Sequence, residues 1–148
     1  MPPKQQQQIR LEHLSLEDLN NIKKGLNEDL ESLGRAYDSL RHARQRFNDS
    51  KVYLESLKVA PEGQEAFVPM STSLYVTGNL VNRTRVLVDV GTGYFIEQSV
   101  DRAQQFFQKR MAQMTEQLDS LQGVINQKNK MADDVIKVMQ AKSQAMAA

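Results

Sequence analysis

The chain has 148 residues, with 19 basic and 18 acidic side chains and a net charge of +1. This length allows one ordinary domain, and the balanced charge excludes the strongly basic surface typical of proteins that bind nucleic acid or anionic membranes. The absence of cysteine excludes disulfide scaffolds, thiolate zinc sites and cysteine nucleophiles. No apolar stretch approaches the about 20 residues of a membrane span. The N-terminal segment MPPKQQQQIR lacks the apolar core of a signal peptide, so we expect a cytosolic or nuclear protein.

The N-terminal part predicts a Pro- and Gln-rich disordered tail over residues 1–12, followed by a long helix over residues 13–60. Ser15 can cap this helix, and Asp18 three residues later completes a capping box. The helix carries two mainly apolar rows with a strict seven-residue period, the pattern that keeps one seam facing a partner helix. Pro61 predicts its end.

A second long helix is predicted over residues 99–148, with Ser99 as its cap and Asp101 placed favourably in the positive first turn. Two rows with alternating offsets of four and three repeat the seven-residue period of the first helix. Lys128 is a polar residue within one of these rows, and such a residue can set the register at some cost in stability.

Between the helices, residues 61–98 change to a two-residue period and are rich in β-branched and aromatic residues. Gly91-Thr92-Gly93, between two apolar runs, predicts a hairpin turn. Ser71-Thr72-Ser73 predicts a second turn, and Pro69 indicates an edge strand or a bulge beside it. We therefore expect about four short strands that form two hairpins.

The expected fold class is mostly α with a small β part: a long antiparallel coiled coil of the N- and C-terminal helices, joined by two β-hairpins. A helix from about residue 15 to 59 would extend roughly 67 Å, whereas a compact chain of this size is only about 38 Å across. The helices should therefore fold back on each other, with Leu26 near Ala132 and Leu40 near Leu118. The predicted seam consists of Leu26, Leu33, Leu40, Phe47, Leu54, Phe107, Met111, Met114, Leu118, Leu121 and Ile125.

The predicted hairpins carry apolar residues on both faces, because Val86, Val88 and Val90 alternate with Leu87 and other residues. Two isolated hairpins are marginally stable in water, and their edges invite pairing. We therefore expect other subunits to cover these surfaces and make the protein an obligate oligomer. The predicted oligomerisation residues are Val68, Met70, Tyr75, Val76, Val86, Val88, Val90, Tyr94 and Ile96.

Two segments of the middle region, together with the order helix, two hairpins, helix, identify a family. FVPMSTSLYVTGNL resembles the V-P-L-[T/G]-x-S-x-Y-V-x-G block of the α-class subunits of prefoldin, a hexameric chaperone. VLVDVGTGYFIEQSVDRAQQFFQKR resembles the V-x-V-G-T-G-Y-x-V-E segment that leads into the second helix of that family. The resemblance extends over residues 12–148, and DVGTGY and FF-x-KR are most similar to one eukaryotic branch of the family.

This resemblance implies a heterohexamer of two α-class and four β-class subunits, whose hairpins build a double β-barrel platform that carries six coiled coils. The distal ends of the coiled coils would hold non-native polypeptides, above all actin and tubulin chains, and pass them to the cytosolic chaperonin. No nucleotide or other cofactor is implied, and neither nucleic acid nor a membrane is an expected partner.

The distal end of the coiled coil carries more apolar residues than a two-helix seam can bury. Three methionines lie near the C-terminus, and methionine suits surfaces that must accept many partners. Ile9 belongs to the same apolar end. The predicted client-binding residues are Leu11, Leu14, Leu16, Leu19, Met131, Val135, Ile136, Val138, Met139 and Met146.

A structural or tethering coiled coil without chaperone activity is the alternative function. A tether needs only the heptads, however, and has no use for two strand pairs in the middle of the chain. An enzyme is a distant third, because no Ser–His pair, metal-ligand spacing or acid–base carboxylate pair is evident. We therefore predict no catalytic residues and no metal ligands.

Overall fold

A computed structural model describes residues 11–147, and its element order confirms the expected fold class of two long helices and two hairpins. The elements are a 3-10 helix (Leu11–His13), α1 (Leu16–Val59), β1 (Glu65–Pro69), β2 (Tyr75–Asn79), β3 (Arg85–Gly91), β4 (Tyr94–Ser99) and α2 (Val100–Ala147). Within the described residues, no helix is both long and apolar enough to cross a membrane.

The boundary of the predicted tail needs a correction. Leu11–His13 form a 3-10 helix, and Leu11 packs against a buried apolar cluster. Residues 11 and 12, which were assigned to the tail, are therefore part of the folded structure. The apolar contact of Leu11 fixes this short segment against the helices. The rest of the predicted tail, residues 1–10, lies outside the described residues, as does Ile9.

Both long helices begin at the residues predicted to cap them. The Asp18 backbone N–H donates to Ser15 Oγ at 3.1 Å, and Ser15 donates through its own N–H and O–H to the Asp18 carboxylate at 3.3 and 2.6 Å. This is a reciprocal capping box. At the start of α2, the Arg102 N–H donates to Ser99 Oγ at 3.3 Å.

The four strands form two separate antiparallel hairpins, β1–β2 and β3–β4. In the first, Val68 pairs with Val76, and the turn is closed by the Met70 N–H, which donates to the Leu74 carbonyl at 2.8 Å. In the second, a bulge interrupts the register between Asp89 and Gly91. The predicted turns are both confirmed.

The backbone conformation of the second hairpin's turn explains why a glycine occupies position 93. Thr92 has a φ of 51° and Gly93 a φ of 80°, so both central residues are left-handed, as in a type I′ turn. Glycine adopts this backbone conformation without steric cost, whereas threonine adopts it at a steric cost. The turn therefore depends on Gly93 more than on any side chain.

The described chain consists of two compact units, both of which include parts of α1 and α2. One unit comprises the residues up to Leu40 and from Gln117 on, and the other comprises Arg41–Glu116. In the first unit, the two helices enclose a buried cluster, which we call the tip core. It consists of Leu19, Leu26, Ala132 and Val135.

In the second unit, hairpin β3–β4 packs onto the helices rather than standing alone. Leu54 of α1, Val88 of β3, and Val100 and Ala103 of α2 form its buried cluster. The rings of Phe47 and Phe107 lie 5.7 Å apart between their centroids. The cluster explains why this hairpin needs no neighbouring strand on its inner face.

Candidate functional site

The tip core decides which of the predicted client-binding residues are accessible. Leu19 is fully buried and Val135 is 2% exposed, so neither of these two predicted client-binding side chains is accessible in the folded chain. Both lie in the seam rows, where the apolar side chains of each helix are buried against those of the other.

Several other predicted residues lie at the edge of the tip core, where they are half-buried. Those that pack directly against it are Leu11, Leu14, Val138 and Met139. Leu16 and Ile136 are also half-buried, and both line a groove of about 580 Å³ with Lys23 of α1 and Ser143 of α2. These residues expose part of their apolar surface without leaving the packed unit.

Two methionines are the most accessible of the predicted client-binding residues. Met131 is 55% exposed and Met146 is 77% exposed. Methionine is unbranched and flexible, so it can adapt its shape to different apolar partners. The structure thus leaves a small adaptable surface around a rigid core.

Two polar interactions hold the helices of this unit in register. Lys128 Nζ lies 2.6 Å from Asp29 Oδ2, and Lys142 Nζ donates to the Leu14 carbonyl at 2.7 Å. Lys128 was recognised from sequence as a polar residue in the seam, but its partner was not. The signal was present, because Asp29 interrupts an apolar row of α1 in the same way.

The predicted seam residues all lie between the helices or at their edges. Leu26, Leu54 and Leu118 are buried, and the other eight are half-buried. The Arg44 guanidinium also donates to Thr115 Oγ1 at 3.2 Å. This bond links α1 to α2 in the second unit.

The hairpins present the second candidate surface, and three of the predicted oligomerisation residues there pack inside the single chain. Val88 is only 3% exposed, and Val86 and Val90 pack beside it against the helices. The β3 face that these valines form is therefore covered by the chain itself. Strand alternation identifies two faces, but it does not say which one the helices cover.

The remaining six predicted oligomerisation residues are exposed in the single chain. They are Val68, Met70, Tyr75, Val76, Tyr94 and Ile96. Sequence reasoning missed other large apolar side chains that are equally accessible. These are Phe67, Leu74, Val81 and Phe95, while Leu87, which the alternation had already placed on the other face of β3, is exposed as well. The two-residue alternation identifies Phe67 and Leu87, which occupy the opposite faces of their strands from Val68 and Val88.

An exposed apolar surface of this kind on two small hairpins indicates an interaction site. Each hairpin also has strand edges whose backbone groups can pair with another chain. Among the described residues, no group of three or more His, Asp or Glu side chains could hold a metal ion. Each of the two units therefore carries an exposed apolar contact surface.

Comparison with known proteins identifies the family to which this arrangement is similar. The family model described as "Prefoldin subunit" matches residues 26–145. "Probable prefoldin subunit 5" of Dictyostelium discoideum is 32% identical over 142 residues, which cover 96% of this chain and 88% of the relative. "Prefoldin subunit 5" of Homo sapiens is 32% identical over 142 residues, with 96% and 92% coverage. That of Arabidopsis thaliana is 31% identical over 138 residues, with 93% and 91% coverage.

A solved structure has the same fold. The cryo-EM structure of filamentous PFD from Methanocaldococcus jannaschii matches with a TM-score of 0.71 and 20% sequence identity, over 79% of this chain and 97% of that chain. Because the sequence identity is only 20%, this similarity shows the fold alone.

Proposed function

Because this chain belongs to the prefoldin family, which its match over residues 26–145 establishes, we propose that it is an ATP-independent holding subunit of a prefoldin hexamer. The relatives also confirm the eukaryotic branch that DVGTGY and FF-x-KR predicted, namely subunit 5. In this proposal the hexamer contains two α-class and four β-class subunits. Its place of action is the cytosol, with the nucleus as a second compartment.

The observation that carries the proposal is the exposed apolar surface around the tip core. Met131 and Met146 are accessible while Leu19 and Val135 keep the helices packed. A tip of this kind can contact an unfolded chain without unfolding itself. The proposed clients are non-native actin and tubulin chains, which the hexamer would transfer to the cytosolic chaperonin.

Weak individual contacts suffice for this function. A few accessible methionines give little affinity by themselves, but several tips that contact one client raise the effective concentration of each further contact. Release then needs no nucleotide, because each contact breaks easily and a receiving chaperonin can replace them one at a time. The hairpins would hold the tips at fixed positions in the complex.

The test replaces Met131 and Met146 by serine in this chain, which is then assembled with its partner subunits. The amount of hexamer needed to suppress half of the aggregation of denatured actin should rise roughly twofold, since the other tips remain intact. Light scattering measures the suppression. Val52→Ser is the control, because Val52 is 49% exposed on α1 but lies in the other unit.

Equal suppression by the double variant and the control would contradict client contact at this tip. A complex that assembles and binds partner proteins, but suppresses no aggregation at all, would favour the alternative of a tethering coiled coil. Repeating the assay with denatured tubulin tests the second proposed client.

A further inference from the structure

Two glycines interrupt the interiors of the long helices in the first unit. Gly34 lies in α1 and Gly123 in α2. A Cβ added at either position would meet no neighbouring atom within 4 Å, and neither residue has a positive φ. Glycine is nevertheless less favourable in a helix interior than any residue except proline, because its backbone has the most freedom to lose. Neither close packing nor backbone conformation therefore explains these two residues.

The two glycines lie at the same level of the antiparallel helix pair. The ion pair between Asp29 and Lys128 marks one level directly. Gly34 follows Asp29 by five residues, and Gly123 precedes Lys128 by five. Because the helices run in opposite directions with the same rise per residue, these equal steps end at one level. We call it the glycine level.

The seam is packed less tightly at the glycine level than on either side of it. Leu33 and Ile125, the seam residues nearest to the two glycines, are only half-buried. Toward the tip, Leu26 and Ala132 are buried in the tip core, and Leu118 is buried on the other side. A segment with few buried side chains and a weak helical backbone deforms before its neighbours do.

Exposed side-chain pairs span each glycine along its own helix. Arg35 donates to the Glu31 carboxylate at 2.5 Å in α1, and the two side chains are 70% and 69% exposed. Gln122 Nε2 donates to Asn126 Oδ1 at 3.0 Å in α2, also on the exposed surface. Such pairs stabilise a helix only weakly, so they permit a small bend.

Gly25 provides an internal comparison. It precedes Asp29 by four residues, and the same count from Lys128 reaches Ala132 on the other helix. A Cβ at Gly25 is as unobstructed as at the other two positions, but Gly25 is followed by the buried Leu26. At this level one helix keeps a good helix former and the seam is tightly packed, so no bend is expected.

We propose that the glycine level is a joint, at which the coiled coil bends while the tip core stays packed. Sharp bends in helices occur at a few kinds of site, and those that contain glycine are among them. A pair of helices bends only where both can yield, which is the reason for two glycines at one level. The joint turns the accessible Met131 and Met146 toward a client without unpacking Leu19 and Val135. This use of the joint rests on the proposed holding function, whereas the joint itself does not.

The test measures the bend in the assembled hexamer by pulsed electron paramagnetic resonance. Spin labels on Asp119→Cys and Lys137→Cys lie on either side of Gly123, and the chain, which has no cysteine of its own, is labelled before assembly. The labels are 18 residues apart, so they share one helix face and are separated by about 27 Å along a straight helix. A bend of about 20° changes this separation by about 2 Å at the helix surface.

Gly34→Ala combined with Gly123→Ala should narrow the distribution of label separations by about the 2 Å that the bend contributes. Gly34→Ala alone should give part of this effect. Gly25→Ala is the matched control, since it is the same substitution in the same helix, and it should give none. Alanine favours the helix at all three positions, so a loss of folding does not account for the narrowing.

The same variants test the use of the joint. The double alanine variant should need roughly twice as much hexamer as the parent to suppress half of the aggregation of denatured actin, because one tip no longer reaches the client. Gly25→Ala should need the same amount as the parent.

An unchanged distribution in the double variant would overturn the proposal. So would equal narrowing by Gly25→Ala, because any better helix former would then stiffen the unit. Narrowing without a change in actin suppression would refute the use of the joint in client contact. Failure of the holding function itself is distinguishable, because the unsubstituted hexamer would then suppress no aggregation while the labels still report the bend.

Discussion

The ion pair between Asp29 and Lys128 shows how single residues set the alignment of the helices. Each interrupts an otherwise mainly apolar row of its helix, and their charged atoms meet at 2.6 Å. The lysine side chain is only 29% exposed, so it depends on a partner more than a surface lysine does. A shifted register would separate the pair and place a charge against apolar residues.

We predict that Asp29→Asn lowers the local stability of the first unit by about 0.5–1 kcal/mol, because Lys128 loses its charged partner. Hydrogen exchange of amides near residues 29 and 128 in the assembled complex measures this change. Glu31→Gln is the control, since its ion pair with Arg35 is 69–70% exposed on both sides and should contribute less. An equal effect of the two substitutions would show that the pair does not set the register.

At the scale of elements, turn chemistry decides the stability of hairpin β3–β4. Gly93 has a φ of 80°, in the left-handed region that costs other residues roughly 1–2 kcal/mol. A Cβ at this position meets no neighbouring atom, so the cost of a side chain comes from the backbone alone.

We therefore predict that Gly93→Ala destabilises the hairpin by about 1 kcal/mol. Faster hydrogen exchange of the β3 and β4 amides would report the loss. Gly34→Ala should have the opposite effect on α1, because alanine favours a helix interior by about 1 kcal/mol over glycine. A Gly93→Ala variant with unchanged exchange would mean that tertiary packing, and not the turn, holds these strands.

At the scale of the whole molecule, the unpartnered hairpin surfaces favour assembly. Val68 and Val76 are direct cross-strand neighbours, and they are 45% and 42% exposed in the single chain. Adjacent exposed valines on a two-stranded sheet are poorly stabilised in water. Partner subunits would bury them.

Val68→Lys should block assembly with the partner subunits without unfolding the chain, because a charge on a buried interface is costly but the same charge on an exposed strand is not. Sedimentation velocity measures assembly, and circular dichroism of the isolated chain measures folding. Val52→Lys on α1 is the control and should assemble normally. Normal assembly of Val68→Lys would exclude this face of the first hairpin from the interface.

Much of the fold was predictable because its determinants are local. The capping box of Ser15 and Asp18, the turn at Gly93 and the seven-residue rows each depend on residues that are close in sequence. The same locality explains why the hairpins could be located within the middle region. Prefoldin membership followed from two of these local segments.

Tertiary packing alone decided which apolar residues of each surface remain available. The sequence by itself determined that the tip and the hairpins are rich in apolar side chains, that the helices pair through a heptad seam, and that two strand pairs separate them. It did not determine that Leu19 and Val135 become core while Met131 stays accessible, or that the helices cover Val88 and leave Leu87 exposed. Burial depends on which distant residues meet, and a periodic pattern specifies a face without specifying its neighbour.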